Sequence, residues 1–173
     1  GFSVAMNLPY VNIDNWYQAI SSLLHDLTDD DSGIPSAQDK KPFIGEPQRI
    51  FLNAQSATVA SQQLTGLEAV TKNTGDSWQI NVNAKQVRAN VSLYKDWLAR
   101  GINISADYLD LAGWEKKEGT GTEFEPKLET LPPVEFLCER CRFENKDLGR
   151  VDFKLSRAAN GMHIDSLRLN NDH

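Results

Sequence analysis

The stretch VEFLCERCRFENKDLGRVDFKLSRAANGMHIDSLRL, Val134 to Leu169, sets the architecture, because a degenerate copy of it occupies Ile50 to Ile80. The two superpose without a gap at an offset of eighty-four positions. Ile50 falls on Val134, Leu52 on Phe136, Val59 on Phe143, Leu64 on Leu148, Leu67 on Val151, Trp78 on Met162 and Ile80 on Ile164. The turn-forming Asn73-Thr74-Gly75-Asp76 lies over Ala158-Ala159-Asn160-Gly161. Identities are few, so the signal is one of pattern: apolar residues recur at strand spacing, and Gly or Asn falls near the same chain reversals. The chain reads as at least two copies of one antiparallel β unit, a first over 48–111 and a second over 131–170.

Between the copies the period stays at two. Trp78, Ile80, Val82 and Ala84 alternate with Gln79, Asn81 and Asn83. Val87, Ala89, Val91 and Leu93 repeat the pattern, as do Ile102, Ile104 and Ala106, with a bulge expected near Tyr108 that brings Leu109 and Leu111 into phase. In the second unit one hairpin is expected to turn through Asn145 to Gly149 and the next through Asn160-Gly161. The result is an antiparallel meander with one apolar face and one wet face.

Ahead of the first unit, Asn7 to Val11 reads as extended, with Pro9 excluding an early helix. The segment that follows has the helical period. Ile13, Trp16, Tyr17, Ile20, Leu23, Leu24 and Leu27 form a single apolar stripe, predicting an amphipathic helix over 12–27, with Asn12 or Asp14 as its N-cap. A helix of this length is marginal alone, so its stripe is expected to dock on the sheet. Residues 28–47 and 112–130 read as loops, the second one flexible around Gly119-Thr120-Gly121. The acidic run Asp29-Asp30-Asp31 lacks the alternating ligands and closing Glu of a calcium loop.

Composition narrows the function. The formal net charge is −6, with 18 basic residues scattered among 24 acidic ones, which argues against nucleic acid and against anionic membrane surfaces as electrostatic partners. No run approaches the roughly 20 apolar residues that span a bilayer. The abrupt start at Gly1 and stop at His173 read as a piece of something longer. No nucleophile elbow, P-loop, dinucleotide fingerprint or zinc-protease motif occurs, and His25, His163 and His173 stand apart from one another. No catalytic residue, cofactor or metal site is therefore expected, and the chain does not read as an enzyme.

Cys138-Glu139-Arg140-Cys141 has redox spacing but lies inside a strand-like run rather than at a helix N-terminus, where a thiolate would be activated. The repeat places Ala54 and Ala57 at the same two positions, so small core-facing residues are the plain reading. A local disulfide stays open in an oxidising compartment, because a bulge could bring the side chains together. The apolar face has two readings as well: an ordinary core closed by the helix and a second layer, or a groove that never closes. Alternation alone predicts the same inward residues for both.

Three segments resemble the AsmA-like, bridge-like lipid-transfer proteins of Gram-negative bacteria. They are Leu8-Pro9-Tyr10-Val11-Asn12-Ile13-Asp14-Asn15-Trp16; Leu131-Pro132-Pro133-Val134-Glu135-Phe136 with Asp147-Leu148-Gly149-Arg150-Val151-Asp152-Phe153; and Ile164-Asp165-Ser166-Leu167-Arg168-Leu169. The cysteine pair and the long 112–130 loop depart from the general repeat. The resemblance implies the periplasmic part of an inner-membrane-anchored protein, its anchor outside this piece. That part would be a long curved β-sheet whose hydrophobic groove moves phospholipid towards the outer membrane. Its partners would be phospholipid acyl chains. On that reading the lining comprises Ile80 and Val82; Val87, Ala89 and Val91; Ile102 and Ile104; Val134 and Phe136; Val151 and Phe153; and Ile164 and Leu167. The alternative is a structural or protein-binding β module with a closed core and no lipid.

Overall fold

The computed structural model describes residues 1–13, 15, 47–59, 62–111, 132–159 and 161–171. They form a mainly β protein. The strands are β1 (Ser3–Asn12), β2 (Arg49–Val59), β3 (Gln62–Asn73), β4 (Ser77–Asn83), β5 (Val87–Tyr94), β6 (Ile102–Leu111), β7 (Val134–Phe143), β8 (Lys146–Ala158) and β9 (Gly161–Asn170). A single helical turn, α1 (Trp97–Arg100), sits in the β5–β6 connection. All nine strands lie side by side in chain order in one open sheet.

The sheet is mixed, which corrects the antiparallel meander expected from the alternation. β1 runs parallel to β2 and β6 parallel to β7, while every other neighbouring pair is antiparallel. Alternation of side chains is the same in both kinds of pair, so it carries no information on strand direction. Connection length does: a parallel neighbour needs a crossover of about a dozen residues or more, and both parallel pairs are joined through the long 13–48 and 112–133 segments. The helix expected over 12–27 and the loops 28–47 and 112–130 lie outside the described residues, apart from Asn12, Ile13, Asn15 and Pro47. At the first of these places Asn12 Oδ1 accepts a hydrogen bond from the Asn15 backbone N–H at 3.0 Å, the geometry of an N-cap.

The repeat read from the sequence is visible in the strand boundaries. β3 and β4 start at Gln62 and Ser77, and β8 and β9 start eighty-four residues later at Lys146 and Gly161. β1 and β6 are related too, at an offset of ninety-eight. Leu8 and Val11 pair with Ala54 and Ala57, as Ala106 and Leu109 pair with Cys138 and Cys141. β1 therefore stands to β2 as β6 stands to β7.

Two clusters of buried side chains mark equivalent places in the copies. One holds Val11, Ala54, Ala57, Leu64, Leu67 and Ala84, and the other Ala89, Ala106, Cys138, Cys141 and Val151. Residues three apart in a regular strand face opposite sides, so Cys138 and Cys141, like Ala54 and Ala57 in the first unit, share one buried cluster because the strand departs from the regular pleat between them; at the cysteines the pairing register shifts as well. There Glu139 and Arg140 lie across from Arg150 alone, and Gly149 adopts φ +64°. The expected bulge near Tyr108 falls at the register shift opposite Arg88 and Ala89. The β7–β8 turn is tighter than expected. Glu144 and Asn145 both take positive φ, as a two-residue type I′ hairpin demands, and Asp147 to Gly149 are already strand.

Candidate functional site

Cross-strand register converts the inward residues into continuous rows. One crosses all nine strands: Val4, Ile50, Thr71, Ile80, Val91, Ile104, Phe136, Phe153 and Leu167 are successive partners. A second row runs beside it: Met6, Leu52, Ala69, Val82, Ala89, Ala106, Cys138, Val151 and Leu169. Thr71 is the one polar side chain in either. A third, shorter row joins Trp78, Leu93, Ile102, Val134, Leu155 and Ile164.

All the residues assigned to the lining from the sequence fall on this face. Val87 belongs to a fourth row, beside Leu109 and Cys141, and the others lie in the three rows above. Their burial is graded. Ala89 and Val151 are buried, Ile164 and Leu167 are 57% and 59% exposed, and the others are half-buried. Among the described residues the largest side chain that is completely buried is Cys138. A closed core would bury its Ile, Phe and Leu side chains; here Leu64, Leu67 and Val151 are buried with the small residues, while Ile80, Ile104, Phe136 and Phe153 are half-buried and Leu167 is exposed.

Sequence reasoning missed the β1 contribution, Val4 and Met6, because the extended segment was expected to begin only at Asn7. The alternation of Val4, Met6 and Leu8 with Ser3, Ala5 and Asn7 was the available signal.

The opposite face is mostly polar, with Phe51 and Val70 an exposed apolar pair on β2 and β3. Ser92 donates to Gln79 Oε1 at 2.8 Å across β4 and β5, and Asn81 is paired with Asn90. Across β7 and β8, Lys154 Nζ meets Glu135 Oε1 at 2.7 Å, and that bond raises the lysine above its ordinary pKa. On the edge strand, Asp165 accepts from His163 and Ser156, which lower its carboxyl below the usual value. Ser156 bonds to the aspartate and not to the imidazole, so the three residues do not form a nucleophile–base relay.

Cys138 and Cys141 are joined as a disulfide, with their Cα atoms 5.9 Å apart. A bonded pair in the interior of a strand is remote from the exposed, helix-end thiolate of a redox centre. No group of His, Cys, Asp and Glu able to hold a metal occurs among the described residues.

These features define a class: a repeat-built, single-sheet β protein with one continuous apolar face and one polar face. The chain belongs to the YhdP protein family, whose family model matches residues 1–173. The three segments that resemble AsmA-like proteins lie within that match. No match is found among curated proteins or among solved structures. Among the described residues, no helix is long and apolar enough to cross a membrane.

Proposed function

We propose that this chain is one segment of a hydrophobic β-groove that conducts phospholipid between the inner and outer membranes, across the periplasm, in support of the outer-membrane barrier. The observation that carries the reading is the nine-strand row from Val4 to Leu167, apolar except at Thr71 and with no fully buried member. A buried CH₂ is worth about 0.8 kcal/mol, so an acyl chain of about sixteen carbons in water is penalised by roughly 10 kcal/mol or more. A trough of Ile, Val, Leu and Ala side chains offsets that cost at every position along its length. It asks for no directional bond, so a chain can move laterally without breaking one. No covalent step is involved, and the reading requires no catalytic residue, cofactor or metal.

The Cys138–Cys141 disulfide suits an oxidising compartment such as the periplasm. The membrane anchor of the parent protein belongs outside this segment on the same reading.

The test is native mass spectrometry with lipid extraction on protein purified gently from bacterial membranes. Phospholipid should co-purify with the chain and be lost in Val91→Asp and Ile104→Asp, whose parent residues are direct partners on the apolar face. Asn90→Asp, on the polar face, should retain it. A clean lipid-free mass with a cooperative, lipid-independent melt would instead establish a structural or protein-binding module with a closed core.

A further inference from the structure

Cys138 and Cys141 belong to the second buried cluster, with Ala89, Ala106 and Val151. β7 is paired on both sides: Cys138 stands between Ala106 of β6 and Val151 of β8, and Cys141 between Leu109 and Gly149. Cys138 is wholly buried and Cys141 is 5% exposed. Beyond Gly149 the backbone of β9 lies so close that a Cβ would meet the Asn170 carbonyl. Cys141 also borders a depression of about 630 Å³, lined by Asp110, Glu139, Asp147, Arg140, Arg142 and Arg150. Two ion pairs tie that lining together, Arg142 with Asp110 at 4.0 Å and Arg150 with Glu139 at 3.6 Å.

A disulfide forms or breaks by attack of a thiolate on a sulfur, so that sulfur must be within reach. The buried bond of the closed sheet offers a donor protein no such approach. The span of the link points the same way. Residues three apart in an extended strand have Cα atoms roughly 10 Å apart, whereas those of Cys138 and Cys141 are 5.9 Å apart. The link therefore holds β7 out of the regular pleat by itself, before β6 or β8 has paired with it. In the first unit Ala54 and Ala57 are buried at the same two positions, and β2 pairs with both neighbours around them. Two small side chains thus suffice for closure, and a reduced chain has a route to fold with its thiols shut inside.

We propose that this chain is the substrate of a disulfide-donating oxidant that acts before β6, β7 and β8 pair, and that the closed sheet fixes whichever redox state it closed on. The chemistry is two successive exchanges. One cysteine thiolate attacks the donor disulfide, forming a mixed disulfide and releasing one donor thiolate. The other cysteine thiolate then attacks the chain's own sulfur in that mixed disulfide. The Cys138–Cys141 bond forms and the second donor thiolate leaves. The chain loses two electrons and two protons, and the donor disulfide is reduced to two thiols. The oxidant's target is the Cys138-Glu139-Arg140-Cys141 segment in its unpaired form, and this holds whether or not the apolar face carries lipid.

The experiment is an order-of-addition refolding of the 1–173 chain, reduced and unfolded in urea, with oxidised glutathione as the donor. Glutathione present during refolding should give the disulfide. Added after refolding, it should leave the thiols reduced and closed to maleimide until urea is restored, with circular dichroism reporting the sheet. The complementary measurement is reduction of the native oxidised chain by dithiothreitol, which should be roughly a thousandfold slower than in urea because opening of the sheet must come first. It also decides the case in which the reduced chain fails to fold: slow native reduction then makes oxidation a precondition of closure. Cys138→Ala with Cys141→Ala is the control that takes up no maleimide. Oxidation of the folded, reduced chain at the rate of the unfolded one, or native reduction at the urea rate, overturns the proposal.

Discussion

β2 to β4 and β7 to β9 are the same three strands built twice, and their two faces have diverged to different degrees. On the apolar face Ile50 is matched by Val134, Leu52 by Phe136, Ala69 by Phe153 and Ile80 by Ile164, with polarity changing at Thr71 against Leu155 and at Val82 against Ser166. On the other face the directly opposed pair Phe51 and Val70, 39% and 37% exposed, becomes the ion pair Glu135 and Lys154. Neutral Ser56 and Thr58 give way to Arg140 and Arg142 at the charged depression, while Tyr10 is kept as Tyr108. The face that continues from strand to strand is held to one chemistry along the whole sheet. The face that ends in solvent is free to differ from unit to unit.

The largest effect that would test this equivalence is a charge at its buried positions. Ala57 is fully buried on the apolar face, so Ala57→Asp should cost about 4 kcal/mol or more, measured by urea unfolding, while exposed Gln55→Asp should stay within about 0.5 kcal/mol. Similar costs would mean that the two faces have been assigned wrongly.

Next come the two left-handed glycines at the bulge end, which separate the units. Gly66 has φ +63° with open space where a methyl group would project, whereas a Cβ at Gly149 would run into the Asn170 carbonyl. Gly66→Ala should cost about 1 kcal/mol from backbone strain, and Gly149→Ala about 3 kcal/mol from strain plus overpacking. Equal losses would show that β9 does not close over Gly149 as described.

Replacing Cys138 and Cys141 together by the alanines of the first unit should cost about 2 kcal/mol, the chain-entropy value for so short a loop, and leave the sheet intact. Loss of the fold would mean that the disulfide is indispensable where Ala54 and Ala57 suffice in the other copy.

The smallest effect is pH dependence, confined to the second unit. The folded pKa of Asp165 lies below its ordinary 3.8, so its contribution is complete above that pH and lost as pH falls through the folded value. Lys154 lies above its ordinary 10.5, so its contribution is complete below that pH and lost as pH rises through the folded value. Asn81 and Val70 occupy these positions in the first unit. Amide titration should therefore carry the Asp165 and Lys154 transitions in β9 and β8 at the two extremes, with no counterpart at Asn81 and Val70; matching transitions at those two positions would contradict the assignment.

Several features were legible without coordinates. The eighty-four-residue offset placed β7 to β9 on β2 to β4, and period-two alternation grouped the lining residues strand by strand from Ile80 to Ile164, whereas Leu167, three residues on, joins them through the register shift between β8 and β9. Both succeed because side-chain direction in a strand is local, set by the pleat of each residue's own backbone. The redox-like spacing of Cys138 and Cys141 was harder to read, because whether residues three apart share a face depends on a bulge, and a bulge is a property of two strands.

The order of residues along the chain thus dictates the repeat, the strands and the polarity of each face. Only the assembled sheet decides that β1 and β6 run parallel to their successors, that β1 belongs to the repeat, that the cysteines are joined, and that six charges from three strands gather around one depression. The reason is range. Alternation is encoded residue by residue, whereas strand direction, register and the meeting of Asp110, Arg142 and Arg150 depend on which backbones pair across tens of residues of chain.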